Sequence, residues 1–143
     1  MLRDGEDAVS GAGAPAEALA AARAALVAAD LADVASERYL QAQLAALRIA
    51  AAVLAARAHR ASGPRLRNVW QVVAEVAPEF AEWAGYFATS QMKRQAVAAG
   101  ATALVSVRDA DDLLRDAWTF HEEVARRLRA ARTRGAQLPR TAG

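Results

Sequence analysis

The chain has 143 residues, enough for one domain to bury a core unaided by disulfides or metal, and it contains no cysteine. That excludes a disulfide framework, a thiol nucleophile and any cysteine-based zinc or iron–sulfur site, and it is compatible with a reducing, cytoplasmic setting. The net charge is only +2, yet it falls in blocks: residues 1–37 carry −5, 38–67 carry +6, 68–123 carry −5 and 124–143 carry +6. Such blocks let basic helices pair with acidic ones inside a bundle, or leave basic surface for phosphate.

Alanine accounts for 41 residues and arginine for 17 of the 18 basic ones, a usage that a GC-rich genome explains. Alanine is the best helix former and lets helices approach closely, so an all-helical fold is expected. The start, MLRDGEDAVSGAGAP, is acidic and lacks the apolar stretch of a secretory signal. The longest strongly apolar run, Ile49 to Ala56, has arginine at each side and is far shorter than the roughly 20 residues that cross a bilayer, so no membrane partner is expected.

Residues 1–13 are Gly-rich and polar and read as a disordered tail. Pro15 suits the first position of a helix running to about Asp30, with Leu19, Ala22, Leu26 and Ala29 as its stripe. Ser36 is placed to cap a second helix, about Glu37 to Arg60, carrying Leu40, Leu44, Leu47, Ala51 and Leu54; Ile49 and Val53 lie off that stripe, which makes the helix central.

The second helix leads into RAHRASGPRLR, where Arg57, His59, Arg60, Arg65 and Arg67 surround a Gly63-Pro64 turn without an acidic residue. These five are the candidate RNA-binding residues. The alternative is a solvated loop whose arginines serve the helix end. Asn68 caps a short helix, VWQVVAEVA, and Pro78 separates it from a fourth that stacks Phe80, Trp83, Ala84 and Phe87 on one face. With Trp70 these aromatics read as core, because they recur at helical spacing. Gly100 ends the fourth helix.

The last helix spans Ser106 to about Arg132, with Ser106 and Asp109 at capping-box spacing. Leu114, Ala117, His121, Val124 and Leu128 form its stripe, flanked by Leu113, Trp118 and Phe120. Arg115 lies about 120° round the helix from His121 and about 9 Å of rise before it. Residues 134–143 read as a disordered basic tail, leaving a bundle over 14–133. The expected fold is an all-α, antiparallel up-and-down bundle of four long helices plus one short helix.

Several chemistries are excluded. No Glu-x-x-His pair exists for a di-iron bundle, and His121-Glu122-Glu123-Val124-Ala125 has alanine where a zincin helix needs its second histidine, so no metal site is expected. Walker A, dinucleotide and Gly-x-Ser-x-Gly patterns are absent, and no cofactor is expected.

With Arg115, Asp116 and, after four more residues, His121 on the last long helix, the sequence resembles HEPN domains, the "higher eukaryotes and prokaryotes nucleotide-binding" superfamily. The wider pattern is similar to an actinobacterial HEPN family of unknown role. It lies in Ser36-Glu37-Arg38-Tyr39-Leu40, in VWQVVAEVAPEFAEWAGYF and in DADDLLRDA, and the likeness covers roughly residues 15–130. The resemblance implies a homodimer through the last helix. Its Arg115, Asp116 and His121 would form a composite, metal-independent endoribonuclease site of toxin or defence type. His121 would move the proton of an RNA 2′-hydroxyl or of the departing 5′-oxygen, Arg115 would hold the phosphate and Asp116 would orient a partner. A 2′,3′-cyclic phosphate would result, and a cognate antitoxin or nucleotidyltransferase is an implied partner. Two other readings stand beside it: a non-catalytic HEPN dimer that binds RNA or nucleotides or serves as an adaptor, and a structural bundle whose charge blocks set partner choice.

Overall fold

The computed structural model describes residues 2–62 and 68–137, with side chains from residue 13 onward apart from those of 102 and 137. Four long helices, α1 (Leu2–Leu31), α2 (Ala35–Arg57), α4 (Ala81–Ala98) and α5 (Val107–Gln137), are accompanied by a short α3 (Val69–Val76) packed on α2 and α4. Single 3-10 turns follow α2, precede α4 and precede α5. The described residues contain no strand, and the expected all-α bundle is the observed one.

Side-chain contacts fix the directions. Tyr39 Oη donates to the Ser90 carbonyl and Gln43 Nε2 to that of Phe87, so α4 runs antiparallel to α2. Arg38 meets Asp111 where α2 and α5 both start. Arg38 and Arg48 of α2 reach Ala29 and Ala21, and Trp118 and His121 of α5 reach Asp30 and Leu19, so both helices run antiparallel to α1 and parallel to each other. In an up-and-down bundle, alternate helices must point the same way.

Two kinds of core result. Where α1 meets α2, the buried residues are Ala22, Ala25, Leu26 and Ala29 against small side chains of α2. Where α3, α4 and α5 meet, Phe120 packs with Trp70, Phe80, Trp83 and Phe87 at centroid distances of 6.3, 5.8, 5.6 and 5.2 Å. The fourth-helix aromatics and Trp70 are therefore core.

Three caps match the sequence. Asn68 accepts from the Trp70 amide while Gln71 accepts from the Asn68 amide. Ser106 and Asp109 exchange the reciprocal pair of a capping box at 3.0 and 3.2 Å. Gly100 ends α4 at φ 107°, a left-handed conformation that favours glycine.

Other expectations are corrected. Ser36 caps nothing: α2 begins at Ala35 after Val34, and the Val34 carbonyl already accepts the first helical bond, from Arg38. The helix stops at Arg57 instead of Arg60, giving way to a 3-10 turn over Ala58–Arg60. The leucine row of α2 is not its buried face. Ala42, Ala45, Ala46, Ile49, Ala50 and Val53 are fully buried, whereas Leu40, Leu44, Leu47 and Leu54 are half-buried and Ala51 is exposed. A helix enclosed by neighbours needs small side chains where backbones approach and larger ones along the flanks.

Pro15 lies inside α1, which continues back to Leu2 through the segment expected to be a tail. Its fixed φ is helical, yet passage removes the amide that would bond the Gly11 carbonyl and sets the ring against that carbonyl. At the other end α5 runs on to Gln137, past the expected end at Arg132; residues 138–143 lie outside the described residues.

Ala35–Arg60 is long and apolar enough to cross a membrane, and half of its apolar window is buried inside the bundle, as a central helix requires.

Candidate functional site

Helix α5 carries all three residues singled out as catalytic, and the fold sends them to different places. Its fully buried line is Ala110, Leu113, Ala117, Phe120 and Val124. The sequence stripe is thus displaced by about one residue: Phe120 points to the centre, and His121 sits at the edge facing α1.

Arg115 lies on the outer side, its side chain 67% exposed. Its Nη1 donates to Asp112 Oδ1 at 3.1 Å, and its Nε is 3.6 Å from Asp116 Oδ1. Asp116 is more buried and also faces Tyr86. Burial first, then the hydrogen bond and charge of Asp116, push the Tyr86 phenol well above its ordinary value. A partly desolvated phenolate beside a carboxylate is disfavoured twice over. Tyr86 therefore belongs to the Arg115–Asp116 group.

His121 is half-buried against α1. Its Nε2 lies 3.2 Å from the Leu19 carbonyl, and since a carbonyl only accepts, that nitrogen carries the proton. Trp118 meets the imidazole edge-on at 6.2 Å, donates its indole N–H to Asp30, and lies under the Arg23 guanidinium at 5.6 Å.

The imidazole forms part of the wall of a cleft of about 520 Å³ between α1 and α5, closed at its base by Ala56 of α2. Arg23, Arg129 and Arg132 are the other polar residues of the wall. Neither Arg115 nor Asp116 reaches it. Within one chain, then, His121 keeps company with a different set of arginines from the one its sequence neighbour suggested. Arg23 could have been suspected as a lone cation among the alanines of α1, one turn after Leu19. Its convergence with Arg129 and Arg132 is visible only once α1 and α5 are antiparallel.

Among the five candidate RNA-binding residues, His59 and Arg60 are exposed on the 3-10 turn. Arg57 is turned inward: its Nη1 donates to both oxygens of Glu79 at 2.7 and 2.8 Å, and its guanidinium covers the Phe80 ring at 5.9 Å. The carboxylate missing from the loop is supplied by the segment before α4. Arg65 and Arg67 lie outside the described residues.

The basic surface that sequence reading underrated is the far half of α5. Arg126, Arg127, Arg129, Arg132 and Arg134 are all exposed, and no acidic residue lies between Val124 and Gln137. Among the described residues no group of three or more His, Asp or Glu side chains is placed to hold a metal ion.

The family model for SAV_6107-like HEPN domains matches residues 28–125, a stretch that includes α2, α3, α4 and the Arg115–His121 segment. No curated protein and no solved structure matches the chain. With about two-thirds of its length matched, and with an all-helical bundle built from the matched segment, the chain belongs to the SAV_6107-like HEPN family.

Proposed function

We propose that the protein is an RNA-directed HEPN module that grips a phosphate backbone with the far half of α5. The observation that carries this reading is the run of five exposed arginines from Arg126 to Arg134 with no carboxylate among them. Guanidiniums fork onto phosphate oxygens, and a cluster of them around one helix end, with no carboxylate in that stretch, offers a nucleic-acid backbone several contacts. His59 and Arg60 extend the same basic end.

A second reading, the metal-independent endoribonuclease, is favoured by the exposure of Arg115. In a two-fold homodimer through α5, each Arg115, held by Asp112 and Asp116 on the exposed side of the helix, would be presented to the partner's site. There His121 moves the proton of the 2′-hydroxyl, Arg115 steadies the phosphate and Asp116, with Tyr86 behind it, orients Arg115. A toxin of this kind would have a cognate antitoxin or nucleotidyltransferase as partner.

One experiment tests both. Labelled mixed-sequence RNA is incubated with the protein in EDTA and read for retardation and for cleavage with end-group analysis. The binding reading expects retardation that weakens with salt, with a log–log slope shallower by about 2 in the Arg126→Gln/Arg127→Gln/Arg134→Gln variant, at roughly 0.7 per lost single-strand phosphate contact. Unchanged retardation in that variant, or none in the wild type, overturns it. The catalytic reading expects 2′,3′-cyclic phosphate ends that vanish in His121→Ala and Arg115→Ala, and intact RNA with the wild type rejects it.

A further inference from the structure

We infer that the cleft between α1 and α5 binds a small amphipathic anion, an apolar body bearing one carboxylate or phosphate. This goes beyond the RNA reading and does not depend on it.

The shape comes first. At about 520 Å³ the cleft is within the roughly 300–1,000 Å³ of small-molecule sites, and α1 and α5 form its two walls with Ala56 of α2 between them. It stays open because α1 and α5 face each other there with Ala16, Ala20, Ala125 and Ala131, which are too small to meet across the gap.

The lining then selects the ligand. Apart from His121 and the three arginines, every lining residue is alanine, leucine or proline. No side-chain amide or hydroxyl is available to read the edge of a base or a sugar, so the body must be apolar. The charge is one-sided: Arg23, Arg129 and Arg132 converge on the cleft, and among the described residues none of them has an ion-pair partner. Arg23 rests on the Trp118 ring, a weak hold that an anion outcompetes. His121 is not the anion's donor, because its Nε2 proton is directed at Leu19. Most of the lining, including all three arginines, lies outside the matched residues 28–125.

The test is isothermal titration of the full chain with decanoate below its micellar concentration, beside 1-decanol and inorganic phosphate. Each isolates one half of the chemistry. The expected result is one decanoate per chain, with decanol about tenfold weaker, the loss of one or two charge-assisted hydrogen bonds, and no measurable phosphate binding. The Arg23→Gln/Arg132→Gln variant is expected to weaken decanoate by at least about tenfold on the same grounds. Ala20→Trp, at an exposed position on the cleft rim, is expected to abolish binding with an unchanged circular dichroism spectrum. Absence of decanoate binding to the wild type overturns the inference. So does decanol binding as tightly as decanoate, or binding unaffected by both variants. RNA retardation by the Arg126→Gln/Arg127→Gln/Arg134→Gln variant uses arginines outside the cleft, so the two readings fail separately.

Discussion

Arg38 Nη1 donates to Asp111 Oδ1 at 2.6 Å while its Nε and Nη2 donate to the carbonyls of Ala29 and Ala32 at 3.1 and 2.8 Å. One guanidinium thereby closes the end of α1, tethers the start of α2 and holds the first turn of α5. A cation is favoured at the carbonyls of a helix C-terminus, where the Ala29 carbonyl takes Arg38 beside the Ala32 amide. Arg38→Ala is expected to lower stability by about 2 kcal/mol, at about 1 kcal/mol for each carbonyl bond and little for the half-exposed ion pair. Arg38→Lys should recover less than half of this, because an ammonium cannot fork to three acceptors. Urea unfolding at pH 7 reads both, as a shifted midpoint with an unchanged slope.

Two glycines should respond oppositely to alanine. Gly85 sits inside α4, and a Cβ built there meets nothing within 4 Å, so Gly85→Ala should stabilise by roughly 0.5–1 kcal/mol through helix propensity. Gly100 also has open space, yet its φ of 107° is hostile to a side chain. Gly100→Ala should destabilise by about 1 kcal/mol, in the range of other non-glycine residues held in sparsely populated backbone regions. Melting temperatures moving in the same direction would contradict this.

Acid should weaken the fold through two identifiable carboxylates. Partial burial alone would raise the Glu79 carboxyl, but the hydrogen bonds and charge of Arg57, with the charge of Arg127, bring it below its ordinary value. Asp109 is lowered by the Ser106 amide and by Lys93. A carboxyl with a depressed folded pKa contributes stability above its unfolded value and loses it as pH falls through the folded one. Stability should therefore decline from about pH 4 downward, the ordinary carboxylate range. The Glu79→Gln/Asp109→Asn variant should be less stable at neutral pH and show a shallower decline, measured by urea midpoints across the acid range.

The two cores should differ in what they tolerate. Phe120→Ala removes the ring on which four aromatics converge and should cost about 3–5 kcal/mol, enough to unfold a marginal domain; Phe120→Leu, smaller in loss, keeps the comparison measurable. Ala46 is fully buried on α2, where helices approach closely, so enlarging it to leucine should cost roughly 1–3 kcal/mol by overpacking. Chemical denaturation ranks these substitutions directly.

The features legible in the sequence were those set by local chemistry. Asn68 with Gln71, Ser106 with Asp109, Pro78 and Gly100 each act within a few residues, and each stands where local rules put it. Ser36 was misread because a capping residue is recognised only relative to a helix start, and alanine makes that start ambiguous by a residue or two. The buried face of α2 was misread for the same reason: in a helix this rich in alanine, leucines dominate a hydrophobic count even when alanines make the closest contacts. Arg57 was misplaced because its partner, Glu79, lies 22 residues away. The Arg115–His121 spacing and the angle of about 120° between the two residues are plain in the sequence. Periodicity does not say which neighbour faces which side of α5, so the Leu19 bond and the different surroundings of the two residues come only from the packing.

The uneven core has a dynamic consequence. Among the described residues of α1, Leu26 is the one large side chain that is fully buried; its other fully buried residues are alanines, with Leu19 partly buried beside them. Detaching α1 uncovers a close-packed seam made mostly of alanines around Leu26, whereas separating α3, α4 and α5 uncovers the aromatic cluster. Stability in proteins is distributed in cooperative units, and the unit with the least buried surface opens first. The bundle should therefore breathe as a leaf on a fixed spine, with amide protons of α1 exchanging ahead of those flanking Phe120. Since α1 forms one wall of the cleft, a compound lodged against it would slow that exchange.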